Sequence, residues 1–459
     1  MPVLSSTPGA VRGVAARPHF LPIIDLLGLT HAHQQHYTKT MDEKPLTRFV
    51  VIGLGGFGLV HIEAVRWLAR QGLGKLSGVV ALEVDRQARP ELVQTLAAEG
   101  VKLYASVEDF LQEGKRAADV LTVPIGIHQH VPVSVDALEA GLHVYCEKPA
   151  AATVQEVDVL IAASHRTGKQ VAIGFQHMSS VSIRRLKCLV GEGRLGAVRD
   201  VTLMCGWPRS LQYFRRNNWT GRLRLGDRLI LDSPANNAHA HYLMNALYLS
   251  GPGKEKAATP VKLQAELYRA NPIESADTTQ LHLTTDTGAR LHILLTHANG
   301  FANGPIMDLH CEGGRAYWQT DEGKAFVRYN DGSTEHFDNR VHPQWRNESF
   351  RNFVEALAGK ARLDCPPEIA RAQTLAVNLM HESCPGIVAV PSEHVVEAED
   401  WEMFPPNTRG TFCRITGLDE AMHVAIQEWA FLSALGVPWA RGVETREVSG
   451  EGYGRFNSM

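Results

Sequence analysis

The chain has 459 residues, 44% apolar and 21% charged, with a formal net charge of −3. This is the make-up of a globular protein of two or three domains, and it excludes the broad basic field that nucleic acid or an anionic membrane surface requires. The seven cysteines are dispersed with no C-x-x-C pair, which points to reduced thiols and a cytosolic compartment, and no apolar run reaches the ~20 residues of a membrane span.

Residues 1–46 read as a flexible extension. Its apolar patch Phe20–Leu27 is broken by Pro22 and Asp25 and is a poor secretory signal. His31, His33 and His36 there read as a solvated tail, and Met41 as an alternative start.

The first strong signal is Arg48–Ile52 followed by Gly53-Leu54-Gly55-Gly56-Phe57-Gly58. An apolar strand, a G-x-G-x-x-G turn and a helical pattern are what a dinucleotide pyrophosphate needs: a tight turn, close backbone approach and a helix N-terminus facing negative charge. Val79–Asp85 reads as the next strand, after a long first helix or loop around Leu68–Ser77. Asp85 at its end would accept from the adenosine ribose and repel a 2′-phosphate, which favours NAD; Arg86 would instead attract that phosphate and leaves NADP open.

From 47 to 174 strands and helices alternate. Helices are expected at His61–Arg70, Pro90–Glu99, Val107–Gln112, Val131–Ala140 and Val154–Thr167, the last stopped by Gly168. Strands are expected at Val120–Val123, His143–Cys146 and Gln170–Gly174. From 175 to 386 the texture changes. Val198–Gly206 and Val261–Arg269 read as strands, and hairpins follow across Asp286-Thr287-Gly288, Glu312-Gly313-Gly314 and Asn330-Asp331-Gly332. Helices at Gln344–Ala358 and Glu368–Glu382 close this part. Residues 387–459 form a C-terminal extension with one amphipathic helix, capped by Asp419, burying Met422, Ile426, Trp429 and Leu432, and ended by Gly436 and Pro438. The fold class is therefore α/β: an N-terminal Rossmann domain with a doubly wound parallel sheet, plus a C-terminal α+β domain on a large, mostly antiparallel open sheet.

Lys148 follows the strand ending at Cys146, at a carboxyl end where open parallel sheets bind ligands. There its ammonium can stabilise a developing alkoxide, with Glu147 orienting it or the cofactor. The glycine turn, Pro124 with His128, Ala137–Val144, Glu147-Lys148-Pro149, Gly191–Val198 and Tyr248–Gly251 together resemble the glucose–fructose oxidoreductase/inositol dehydrogenase/MocA family over residues 47–385. The resemblance implies a nicotinamide cofactor, a sugar- or polyol-like small-molecule substrate, hydride transfer at a hydroxyl-bearing carbon, and a homodimer or homotetramer formed through the C-terminal sheet. An eliminating enzyme that holds NAD with no net redox change, and a non-catalytic cofactor binder, stay open at this point.

The resemblance makes Lys148 the catalytic lysine. The family's basic histidine, in an Asp-x-x-x-His-x-x-Asp setting, falls on His241 when counted back from Gly251. Asn237 and Met244 then stand at the two acid positions. Asparagine can orient the ring without adding charge, leaving His241 a base of ordinary pKa, ~6.5. Asp232 can replace the missing acid if the loop 233–236 folds back. His239 competes for the base role. Cofactor contacts are expected from Gly53, Gly55, Gly56, Phe57, Gly58, Asp85, Arg86, Pro124, His128, Glu147 and Lys148. Substrate contacts are expected from Gln176, His177, Trp219, Arg222 and Asp232. His128/His130 and His239/His241 are H-x-H pairs without a third ligand, so no metal is expected.

Overall fold

A computed structural model describes residues 46–320, 323–338, 344–402 and 408–457. The expectations for residues 1–45, including the three histidines and Met41, lie outside the described residues.

The first part of the chain runs β1 (Thr47–Ile52), α1 (Phe57–Arg70), β2 (Gly74–Val80), α2 (Glu83–Ala88), α3 (Pro90–Ala98), β3 (Lys102–Tyr104), α4 (Val107–Asp109), β4 (Val120–Val123), α5 (Ile127–Glu139), β5 (His143–Cys146), α6 (Val154–Thr167) and β6 (Val171–Ile173). The strands form one parallel sheet in the order β3-β2-β1-β4-β5-β6. Its order reverses between β1 and β4, which opens a crevice over their carboxyl ends.

Both faces are buried, and β1 shows why its run is continuously apolar. Phe49 and Val51 face α1 through Ile62, Val65 and Leu68, while Val50 and Ile52 join the opposite layer with Leu138 of α5 and Leu160 of α6. Each such side chain contributes about 1.5–3 kcal/mol by burial. Thr153 and Glu156 form a reciprocal capping box on α6, and Gly168 ends it at φ +66°.

The second strand departs from expectation. It ends at Val80, and Asp85 lies inside α2. Its first half, Gly74-Lys75-Leu76-Ser77, pairs with β1 but carries little strand propensity, so the sequence hides it. Leu82 and Val84, which suggested strand, are 57% and 67% exposed.

The second part contains α7 (Val181–Gly191), β7 (Val198–Gly206), α8 (Leu211–Arg215), the short pair β8 (Arg224–Leu225) and β9 (Arg228–Leu229), and the fully buried α9 (Ala240–Ser250). Next come β10 (Pro260–Arg269), β11 (Thr278–Thr285), β12 (Arg290–Thr296), β13 (Asn303–Cys311), β14 (Gly314–Gln319), β15 (Lys324–Tyr329), β16 (Thr334–Asp338), α10 (Gln344–Leu357) and α11 (Pro367–Ser383). The extension adds β17 (Val388–Ala389), β18 (Val395–Trp401), β19 (Arg409–Ile415), α12 (Leu418–Glu428) and β20 (Val448–Ser449). The large sheet runs β16-β15-β14-β13-β7-β12-β11-β10-β17, with β20 also on β10. It is antiparallel except at β7–β12 and β10–β17, and the three expected hairpins are present.

The extension packs on this sheet: Leu418, Met422, Leu432 and Trp439 bury against Met204, Tyr268 and Leu294. Two expectations for α12 are corrected. Gly417, not Asp419, is its N-cap, and the Asp419 carboxylate accepts from the Gly300 N–H at 2.7 Å, pinning the helix to the sheet. The helix stops at Glu428 because Trp429 adopts φ +51°, so Leu432 reaches the core from the following turn. Among the described residues no helix is long and apolar enough to cross a membrane.

Candidate functional site

The glycine turn opens on the crevice. Gly53 takes φ +93°, a region that favours glycine, and a Cβ on Gly53, Gly55 or Gly56 would meet nothing within 4 Å. A Cβ on Gly58 would lie 2.4 Å from the Gly53 carbonyl oxygen, so that glycine serves the contact between helix and turn. The N-cap of α1, Gly56, offers no side-chain cap to the first-turn amides. An open turn with free helix amides fits a dinucleotide pyrophosphate, and Gly55, Gly56 and Phe57 would hold it.

At the end of β5, Glu147 turns away from the Lys148 ammonium. Its Oε1 lies 3.0 Å from His61 Nε2 of α1, and its Oε2 accepts from the Lys148 backbone N–H. Burial opposes ionisation of Glu147, but the hydrogen bond and charge of His61 outweigh it and hold the carboxyl below its usual range. The Lys148 ammonium itself is held from another element. Lys148 Nζ donates to the backbone oxygen of Asn237 at 2.9 Å and to its side-chain oxygen at 3.2 Å.

Asn237 Nδ2 donates to Asp232 Oδ1 at 2.8 Å, and Asp232 also accepts from the Gly221 N–H. The loop 233–236 does fold back, since the Asn236 and Asn237 amides both donate to the Ser233 oxygen. Burial lowers the Lys148 pKa; Glu147 and Asp232 work against that. Burial likewise raises the Asp232 carboxyl.

His241 stacks on His177, centroids 4.4 Å apart and planes 15° apart, with Phe175 edge-on. Burial, reinforced by His177, Lys148 and Arg346, pushes His241 well below the ordinary imidazole range, so the sequence expectation of ~6.5 is corrected. Burial takes His177 down to about 3. His239 points elsewhere, against Trp207 and His297. Gln176 is buried, with an unpartnered Oε1. His128, four residues after Pro124, sits with Trp219 beside Gly126. Arg222 is exposed and pairs with Glu274 at 3.3 Å. Asp85 and Arg86 lie on α2, and Arg86 Nε donates to the Ala81 oxygen just past β2. Among the described residues no three His, Cys, Asp or Glu side chains form a metal set.

Residues 47–175 match the family model described as an oxidoreductase family with an NAD-binding Rossmann fold. Over these residues the chain matches the glucose–fructose oxidoreductase/inositol dehydrogenase/MocA family.

Relatives of the Gfo/Idh/MocA domain include an inositol 2-dehydrogenase of Azotobacter vinelandii, 26% identical over 184 residues, which are 40% of this chain and 49% of the relative. Another is 1-carboxy-3-chloro-3,4-dihydroxycyclohexa-1,5-diene dehydrogenase of Comamonas testosteroni, 36% identical over 102 residues, 22% and 26% of the two chains. The chain thus spans less than half the length of these curated relatives. Among solved structures, the WlbA dehydrogenase of Bordetella pertussis, in complex with NADH and UDP-GlcNAcA, shares the fold with a TM-score of 0.60. It is 20% identical, with 74% of this chain and 96% of that one covered.

Sequence reasoning passed over three groups that the Gfo/Idh/MocA domain meets in space. His61 read only as part of an amphipathic helix, yet it holds Glu147. Trp345 and Arg346 open α10, some 200 positions away, and Trp345 packs edge-on to His177. Nothing in their local spacing marks such contacts; only the buried carboxylate at Glu147 called for a partner.

Proposed function

We propose that the chain is a NAD(P)-dependent oxidoreductase acting on a CH–OH group of a sugar, polyol or related small molecule. The observation that carries this is the Lys148–Asn237–Asp232 relay at the carboxyl end of β5, in the same crevice as the open glycine turn. In this reading the remaining Lys148 donors bind the substrate hydroxyl oxygen, and the ammonium stabilises negative charge developing there. Asn237 fixes the ammonium and links it to the Asp232 carboxylate. His241, neutral through burial, takes the hydroxyl proton; its stack on His177 holds the ring plane. Gln176 and His177 face the substrate. The nicotinamide, when bound, supplies the hydride acceptor.

The dinucleotide in this reading is NAD, because Glu83 and Asp85 place two carboxylates in the first turn of α2, just past β2. One observation favours NADP instead: Arg86 is tethered at that strand end through Ala81.

The test is formation of reduced dinucleotide at 340 nm with a panel of polyols, sugars, sugar acids and nucleotide sugars, for wild type and Lys148→Met. The reading requires turnover by the wild type and a loss of about a hundredfold or more in the variant. Dinucleotide binding without turnover on any substrate would leave a non-catalytic binder; aglycone release without net reduction would mean elimination.

A further inference from the structure

Arg346, on the first turns of α10, is a half-buried cation that makes no hydrogen bond and no ion pair among the described residues. Its Nε–H is shut off from solvent and has no acceptor. Buried arginine donors are ordinarily paired, because an unsatisfied N–H loses its hydration with nothing in return.

The place of this guanidinium is informative. It lies 5.7 Å from the centroid of Phe57, the residue that opens α1 directly after Gly55 and Gly56. Its charge also acts on Glu147, His177 and His241, and His177 packs edge-on against the neighbouring Trp345. The buried carboxylate of Glu147 is engaged elsewhere: its Oε1 lies at His61 Nε2 and its Oε2 accepts from the Lys148 amide. Nor is the side chain carried on a loose segment. One turn further along α10, Ser349 bonds the Tyr145 hydroxyl at 2.8 Å, and Phe350 stacks on the same ring at 4.1 Å, so α10 is fastened to β5.

A rigidly presented, unsatisfied guanidinium beside uncapped helix amides is a site for a multiply charged oxyanion. We propose that Arg346 is a pyrophosphate-binding residue of the dinucleotide site, supplied by the C-terminal part of the chain and acting with the amides of the glycine turn. This rests on the dinucleotide reading above.

The test uses the full chain, wild type, Arg346→Gln and Arg346→Lys, titrated with NADH by fluorescence and with ADP-ribose by calorimetry. ADP-ribose keeps the pyrophosphate and lacks the nicotinamide. Arg346→Gln is expected to weaken both by about tenfold or more, with partial recovery in Arg346→Lys and an unchanged unfolding midpoint without ligand. Equal affinities in wild type and Arg346→Gln overturn the inference alone, as does a loss confined to an anionic substrate with NADH binding intact. A fall in the ligand-free midpoint with no rescue by lysine also overturns it, since that marks a packing role. A wild type that binds neither NADH nor ADP-ribose overturns the dinucleotide reading itself.

Discussion

Lys148 and Asn237 stand 89 positions apart, yet one ammonium bonds both the backbone and the side-chain oxygen of the asparagine. Asn237 occupies a position where the family pattern places an acid, and the missing charge returns one step further on, at Asp232. The relay keeps a carboxylate coupled to the lysine while the atom touching it is neutral. A neutral contact leaves the ammonium its full charge toward substrate, and the buried carboxylate partly offsets what burial does to the lysine pKa.

Replacing Asp232 therefore has a signed effect. Burial lowers Lys148, Asp232 raises it, and Asp232→Asn removes the raising charge. The protonated lysine is lost at a lower pH, so the basic limb of the pH–rate profile is expected to move down by about one unit. Asn237→Asp is expected to move it up. Profiles of kcat/KM for the three proteins check this, and an unmoved limb in Asp232→Asn removes Lys148 as the group that sets it.

The buried Glu147–His61 pair makes a second prediction. The side chains are 7% and 0% exposed. His61→Leu strands the carboxylate in the core and is expected to cost about 3–5 kcal/mol in urea unfolding. Glu147→Gln, which leaves no carboxylate to strand, is expected to cost clearly less. Equal losses in the two variants show that packing around Tyr145 and Phe350, not the charge, makes the pair matter.

How much of this was legible beforehand follows from how local each signal is. Residues Val154–Thr167 carry their own caps, and their helix forms where the sequence puts it. The glycine turn and Glu147-Lys148-Pro149 are likewise written in consecutive residues. The start of β2 was hidden because Gly74, Lys75 and Ser77 gain strand structure only from pairing with β1. The end of α12 was misplaced because apolar spacing continues through Trp429, whereas the backbone turns there. At the site, counting back from Gly251 picks out His241, but its low pKa comes first from burial and then from His177, Lys148 and Arg346, all of which only the fold supplies.

Gly58→Ala tests the contact between helix and turn. Its Cβ would meet backbone atoms of Gly53 at 2.4 and 2.8 Å, and backbone cannot swing aside as a side chain can. The turn itself must shift, so NADH binding is expected to weaken at least about tenfold and stability to fall by about 1–3 kcal/mol. Fluorescence titration and urea unfolding measure the two effects; unchanged NADH affinity with a lowered midpoint would mean that this turn is not where the dinucleotide binds.

Acid stability follows from the buried histidines. Burial holds His177, His292 and His297 at about 3, and His143, His282 and His381 at about 4. Unfolded, each titrates near ~6.5. Below that pH the unfolded chain binds protons that the folded chain refuses, so stability rises with pH and falls as pH drops from about 6.5 toward 4. Urea midpoints at half-unit steps are expected to decline steeply over this window. A flat response would show that these rings are protonated in the folded protein.

Cofactor choice turns on α2. In the proposed reading Glu83 and Asp85, in the first turn of α2, would repel a 2′-phosphate, whereas Arg86, tethered by its Nε to the Ala81 oxygen, has an Nη2 buried without a partner. Two acids against one guanidinium, whose donors are partly used, favour NAD. Arg86→Ala is then expected to leave NADH affinity within about twofold and to weaken NADPH further. Asp85→Asn is expected to narrow the gap between the two by softening the repulsion. Parallel fluorescence titrations decide it: a wild type that prefers NADPH, and loses that preference in Arg86→Ala, reverses the assignment and makes Arg86 the residue that reads the ribose.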